Sequence, residues 1–143
     1  MTENSSHPTI GSSSGAPGAR KIAIVGSGYM GGGIAQVLAL GGARVALSDV
    51  SAEVAQGNYD RLLVESDQFV SDGLFPAGST EILKQNLWAA KDIEEAVADA
   101  DFIEEAVPEI LAVKHQTLAR ISAAARPDAI IGSNTSTISI AEL

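Results

Sequence analysis

The chain has 143 residues, a length that suits one compact domain, and 45% of them are hydrophobic. Aromatics make up only 4%, so the core must be built from Ala, Val, Ile and Leu, and a formal net charge of −9 leaves no basic face for nucleic acid or an anionic membrane. The lack of cysteine rules out disulfides and thiolate metal sites and fits a reducing cytoplasm, and no apolar run approaches the roughly 18 residues of a membrane span.

Residues 1–19, MTENSSHPTIGSSSGAPGA, are rich in Ser, Gly and Pro and read as a disordered leader to a domain over 20–143. His7 lies in that leader and reflects its composition. Residues 21–25 are a short apolar run ending at a glycine, the pattern of a buried strand. Over 29–40, Met30, Ile34, Val37, Leu38 and Leu40 recur at helical spacing until Gly41 and Gly42 stop the helix. RVALSD (44–49) reads as a second strand, and Ser51 caps a helix that runs to about residue 70. DGLFPAG (72–78) breaks it, and Ser79 is expected to cap a short helix to about residue 85. A third strand spans 87–90, a short helix 93–98 and a fourth strand 101–107. The next helix covers 110–125 and ends at Arg126-Pro127. A fifth strand covers 129–133, and Ser139 opens one more helical turn.

Strands alternating with helices imply an α/β fold: a doubly wound, mostly parallel sheet with helices on both faces and right-handed crossovers. About 35 residues separate the second and third strands, more than a simple crossover needs, and predict a helical insertion made of a helix pair.

The stretch IAIVGSGYMGGGIAQ (22–36) carries five glycines between Gly26 and Gly33. Gly26, Gly28 and Gly31 form G-x-G-x-x-G between a predicted strand and a predicted helix. In that setting Gly26 makes a tight turn, Gly28 lets a pyrophosphate reach the backbone, and Gly31 lets the helix close on the first strand. The free N–H groups and the positive helix end would meet the phosphates. Gly32 and Gly33 are expected to extend the close approach of helix to sheet. Asp49 stands at the end of the second strand, 18 residues after Gly31. A carboxylate there accepts hydrogen bonds from both ribose hydroxyls and repels a 2′-phosphate, which predicts NAD rather than NADP.

ADFIEEAVPEILAVKHQTLARI (100–121) places Glu104, Glu105 and Glu109 around the carboxyl end of the fourth strand, where open α/β sheets hold their ligands. Lys114 follows in the next helix, and Ser133, Asn134, Thr135, Ser136 and Thr137 cluster after the fifth strand. Together, IAIVGSGYMGGGIA, Asp49, ADFIEEAVPE with Lys114, and SNTSTISIAEL resemble the N-terminal domain of the 3-hydroxyacyl-CoA dehydrogenase family over residues 21–143.

The resemblance implies a Rossmann-type fold and an NAD-dependent oxidoreductase of fatty acid metabolism, cytoplasmic and homodimeric at full length. Its small-molecule substrate would be an acyl thioester or a hydroxy acid. It places Gly26, Gly28, Tyr29, Met30 and Gly31 near the cofactor diphosphate and Asp49 on the ribose. It places Glu109 and Lys114 beside the nicotinamide half, and Ser136, with Asn134 in the same turn, near the reacting carbonyl. The family's general base is a histidine in a later segment, expected beyond Leu143, and His115 is instead expected to be an exposed helix residue. The chain alone is therefore expected to bind NAD weakly and to show no turnover. The 51–72 region departs from the family pattern: Glu53, Asp60, Glu65, Asp67 and Asp72 face a single base, Arg61. That leaves open a relative acting on a free hydroxy acid or a carnitine-like alcohol. A separate alternative from another class is a non-catalytic dinucleotide-sensing module, which would not need Ser136.

Overall fold

The computed structural model describes residues 20–143, so the expectations for 1–19, His7 included, lie outside the described residues. Five strands, β1 (Lys21–Val25), β2 (Arg44–Ser48), β3 (Leu87–Ala89), β4 (Phe102–Glu105) and β5 (Ile130–Ser133), form one sheet in the order β3-β2-β1-β4-β5. Every pairing is parallel, and Ile24 stands level with Leu47 on one side and Glu104 on the other. The helices are α1 (Tyr29–Leu40), α2 (Ala52–Ser71), α3 (Ser79–Asn86), α4 (Ile93–Val97) and α5 (Leu111–Ala124), and a short 3-10 turn spans Ile140–Glu142. The long β2–β3 connection is the expected helix pair, α2 and α3.

Strand alternation sorts the core into two layers. Ile22, Ile24, Val45 and Leu47 point to one face and pack with Ala35 and Ala39 of α1, Leu62 of α2 and Leu83 of α3. Ala23, Val25, Ala46 and Ile103 point to the other and pack with Ile93, Ala96 and Val97 of α4 and Ile121 of α5. Burying a Leu or Ile of this kind stabilises by about 1.5–3 kcal/mol. Polar bonds tie α2 and α3 to the first layer: Gln36 donates to the Leu62 carbonyl, and Asn86 to the Ala39 carbonyl.

Three local expectations change. The N-cap of α3 is Gly78, at φ +90°, and Ser79 is the first helical residue, its hydroxyl donating to the Pro76 carbonyl. Gly32 packs against α2 rather than the sheet, since a Cβ there would lie 3.1 Å from Leu62 Cδ2, and a Cβ on Gly33 would meet nothing within 4 Å. The expected last helical turn is the 3-10 type. Ser51 does cap α2, accepting from the Val54 N–H at 3.2 Å, and Asp92 caps α4 by accepting from the Glu95 N–H.

Candidate functional site

The glycine turn leaves β1 at Val25, and the Gly26 N–H is held by the Ser48 carbonyl at 2.9 Å. Gly26 has φ +107°, and a Cβ on it would lie 2.5 Å from the Ala106 carbonyl oxygen, so the turn and the β4 exit touch backbone to backbone. A Cβ on Gly31 would lie 1.8 Å from the Gly26 carbonyl oxygen. These two glycines are thus required by the protein's own packing.

Gly28 differs. It sits at φ −66°, it is exposed, and a Cβ on it would meet no protein atom within 4 Å. As the N-cap of α1 it offers no side-chain hydrogen bond, and the first turn of α1 holds no acid. The helix therefore opens on bare N–H groups with the positive end of its dipole uncompensated, a cradle that fits a diphosphate. Tyr29 and Met30 stand exposed beside it, at 87% and 63%.

Asp49 follows β2 and reaches back to the turn. Its Oδ2 accepts from the Ser27 N–H at 2.6 Å and from the Ser27 hydroxyl, and its Oδ1 accepts from the Val50 N–H at 2.8 Å. The carboxylate is half-buried, so it is both fixed and reachable. The turn, Asp49, Val50, Val107, Thr117 and Asn134 line a cleft of about 550 Å³ at the carboxyl ends of the strands. A smaller hollow of about 230 Å³, bordered by Lys21, Arg44, Trp88 and Asp99, lies toward the amino ends, away from where parallel sheets take ligands.

At the other side of β4, a second group of predicted residues comes together. Glu109 Oε2 accepts from the Ser136 N–H at 2.8 Å, the Thr137 N–H at 2.7 Å, the Thr137 hydroxyl at 2.8 Å and the Thr135 hydroxyl at 2.9 Å. Those donors, the two backbone N–H groups first, hold the Glu109 carboxyl far below the usual carboxylate range. Asn134 donates its N–H to the Glu105 carbonyl, and Ser136 stays exposed on the turn.

Lys114 is fully buried. Its ammonium donates to Glu105 Oε2 at 2.6 Å and the Val107 carbonyl at 3.1 Å, and pairs with the Glu109 carboxylate at 3.4 Å. Glu105 is equally buried and accepts further from the Val107 N–H at 2.9 Å and the Ser133 hydroxyl at 2.5 Å. Lys114 is thus a buried charge on α5, compensated entirely from within the protein. Neither Lys114 nor Glu109 lines the 550 Å³ cleft, so the two groups of site residues are adjacent regions rather than one wall. His115 is exposed, with Nε2 against the Glu142 carbonyl.

Sequence reasoning gave no site role to Ser27, Asn58 or Arg61. Asn58 donates to the Ser27 hydroxyl at 2.8 Å, and Arg61 donates to the Ser27 carbonyl at 3.2 Å while its guanidinium lies 5.2 Å from the Tyr29 ring centroid. Their spacing, three residues apart on one helix face, was the available signal.

A parallel sheet with an uncapped glycine turn at its carboxyl edge and an acid one strand over defines a dinucleotide-binding domain of the Rossmann type. The chain belongs to the family described as "3-hydroxyacyl-CoA dehydrogenase, NAD binding domain", whose family model matches residues 21–143. It is 39% identical over 118 residues to L-carnitine dehydrogenase of Mesorhizobium japonicum, covering 82% of this chain and 31% of that protein. It is 37% identical over 119 residues to 3-hydroxyadipyl-CoA dehydrogenase of Escherichia coli, covering 83% and 25%. The crystal structure of 3-hydroxybutyryl-CoA dehydrogenase from Escherichia coli superposes with a TM-score of 0.78 at 35% identity, covering 87% of this chain and 26% of that one. The chain thus spans a third or less of the length of these relatives. NAD is the cofactor for which the family's domain is described. Among the described residues no helix is long and apolar enough to cross a membrane, and no group of three or more His, Asp or Glu could hold a metal ion.

Proposed function

We propose that this chain is the cofactor-binding part of an NAD-dependent dehydrogenase that moves hydride between nicotinamide and the C3 carbon of a 3-hydroxyacyl thioester. The observation that carries the reading is the pairing of an uncapped glycine cradle with a serine turn clamped by Glu109 at the same edge of one sheet. Bound NAD would supply the hydride acceptor, and the chain's own residues would bind and orient. Gly26, Gly28, Tyr29, Met30 and Gly31 receive the diphosphate, and Asp49 takes the ribose hydroxyls. Glu109 holds the Ser136 and Thr137 backbone and accepts from the Ser136 hydroxyl in a long 3.4 Å bond, which the exposed hydroxyl would exchange for the oxygen that gains charge. Lys114 lies beneath, fixing Glu109 on the nicotinamide side, and Asn134 stands where the cleft meets the turn. The general base comes from a histidine supplied outside these residues, and the complete enzyme pairs with a second copy of itself in the cytoplasm.

A second substrate reading has its own support. The outer face of α2 exposes Glu53, Asp60 and Asp67, with Asp72 at its end, and several relatives are named L-carnitine dehydrogenases. An acidic face repels a phosphate-bearing coenzyme A tail and suits a cationic 3-hydroxy acid. Calorimetric titration of the chain with NADH and NADPH tests the cofactor half, where NADPH binding as tight as NADH overturns the role of Asp49. Turnover of the complete enzyme on 3-hydroxybutyryl-CoA against L-carnitine decides the substrate. A Ser136→Ala variant with undiminished turnover removes the serine from the mechanism, whereas a complete protein that binds NADH, turns over neither substrate and is unaffected by Ser136→Ala favours a sensing module.

A further inference from the structure

The polar chain behind Asp49 runs in one direction only. Arg61 Nε–H donates to Asn58 Oδ1 at 3.3 Å, and a guanidinium has no acceptor, so the Asn58 amide must present its oxygen to Arg61 and its NH2 to Ser27. Asn58 Nδ2 then donates to the Ser27 hydroxyl at 2.8 Å. That hydroxyl has a single proton, and with a donor already on its oxygen the proton goes to Asp49 Oδ2. Ser27 is fully buried, so water does not compete for either bond. Arg61 is itself anchored, with Nη1 on Glu65 at 2.8 Å, Nη2 on the Ser27 carbonyl and its plane over Tyr29. The Ser27 N–H and hydroxyl thereby saturate Asp49 Oδ2 and leave the open lone pair of the carboxylate on Oδ1, which otherwise accepts only from the Val50 N–H.

We propose that Asn58 and Arg61 are positioning residues for cofactor selection: through Ser27 they fix the orientation of the Asp49 carboxylate and thereby its preference for an unphosphorylated ribose. The inference rests on the reading that Asp49 receives the ribose. It assigns to α2 a part in cofactor choice from 9 to 12 residues beyond the acid itself. A carboxylate free to rotate would satisfy the ribose hydroxyls less well and could swing from a 2′-phosphate. Losing the Asn58 bond therefore lowers NADH affinity and narrows the gap to NADPH together.

The test is calorimetric titration of the full chain with NADH and with NADPH, for wild type, Asp49→Asn, Asn58→Leu and the double variant, with a thermal melt of each. Asn58→Leu is expected to weaken NADH about three- to tenfold and to narrow the NADH-over-NADPH ratio. In the Asp49→Asn background the same substitution is expected to change neither. A loss of equal size in both backgrounds overturns the proposal, because it reports general loosening of the turn. So does an Asn58→Leu chain that binds both cofactors like wild type while Asp49→Asn does not. An Asp49→Asn chain with unchanged NADH affinity and preference sinks the ribose reading itself, a separate failure. Should Asn58→Leu not fold, Arg61→Met keeps an unbranched side chain of similar length and removes the donors that orient Asn58. It is expected to shift the ratio in the same direction by a smaller factor, and an unchanged ratio overturns the proposal.

Discussion

Three glycines of one helix entrance make opposite predictions for the same substitution. Alanine gains about 0.5–1 kcal/mol over glycine wherever the backbone is helical and there is room. At Gly33 a Cβ meets nothing within 4 Å, so Gly33→Ala should gain that full amount and raise the melting temperature by about 2–4 °C. At Gly31 the new Cβ would lie 1.8 Å from the Gly26 carbonyl oxygen and 2.9 Å from its carbon, against 3.4–4 Å for ordinary contact. Both partners are backbone, and Gly26 is pinned by the Ser48 carbonyl and pressed on Ala106, so neither can yield cheaply. Overpacking of this kind costs about 1–3 kcal/mol or more, and Gly31→Ala should melt several degrees below wild type and lose the cradle with it. At Gly28 the space is empty of protein. Gly28→Ala should cost no more than about 1 kcal/mol of stability, as a poorer N-cap, yet weaken NADH at least about tenfold, because the methyl group occupies the approach to the amides. Circular-dichroism melts and calorimetric NADH titrations of the three variants measure all of this. A Gly31→Ala chain that melts with wild type, or a Gly28→Ala chain that binds NADH unimpaired, refutes the reasoning.

Lys114→Met leaves Glu105 buried without its counter-ion and should cost about 3–5 kcal/mol in urea denaturation, a loss that Lys114→Met combined with Glu105→Leu partly recovers. Glu109 is held below its ordinary range, so its support of the serine turn is present above the ordinary carboxylate value and is lost only as the pH falls toward the folded value. The Ser136 and Thr137 amide resonances should therefore hold their positions from neutral pH down to about pH 4, where the unfolded carboxyl is half protonated. Glu104 has the opposite sign: burial first, then repulsion from Glu105, raises its pKa, so its ionised form opposes folding as the pH rises. Glu104→Gln should raise the urea midpoint at pH 7, and the gain should vanish below about pH 4, where both side chains are neutral.

The parts of this structure legible in the sequence are those set by local rules. Ala23 and Val25 alternate with Ile22 and Ile24, and the strand with its two core faces follows. Gly26 and Gly31 are required by a turn whose length the motif itself fixes, and Asp49 follows from strand spacing. What stayed hidden depends on distant partners. Nothing local distinguishes Gly33, which faces open space, from Gly32, which meets Leu62 thirty positions away. Ser79 has the right chemistry for a cap, but Gly78 takes the position because the entering chain needs φ +90° there. Lys114 reads as solvated until Glu105, Val107 and Glu109 are seen to surround it, and Arg61 reads as one base in an acidic helix until Ser27 and Tyr29 come beneath it.

The two halves of the site are built by opposite means. The glycine turn is made by removing side chains where backbone meets backbone, and hydrogen bonds from Ser27 then fix Asp49 beside it. The region of Lys114, Glu109 and the serine turn is made by burying charge, which is the costlier route: a buried ion pair seldom outdoes an apolar pair of the same volume in stability. What the pair adds is direction. Glu105 follows Ile103 on the α5-facing side of β4, where strand alternation would continue the apolar core. Its oxygens instead bind three separate segments: Lys114 on α5, the Val107 N–H on the β4–α5 link, and Ser133 at the end of β5. Apolar packing could hold those segments together, but it would not fix where their polar atoms point. The same ammonium reaches Glu109, and Glu109 holds the N–H groups of Ser136 and Thr137. The serine turn is therefore indexed to the register of β4 and β5 through a line of ion pairs and charged hydrogen bonds. A variant that cuts the line at Lys114 should displace Ser136 even where the sheet survives.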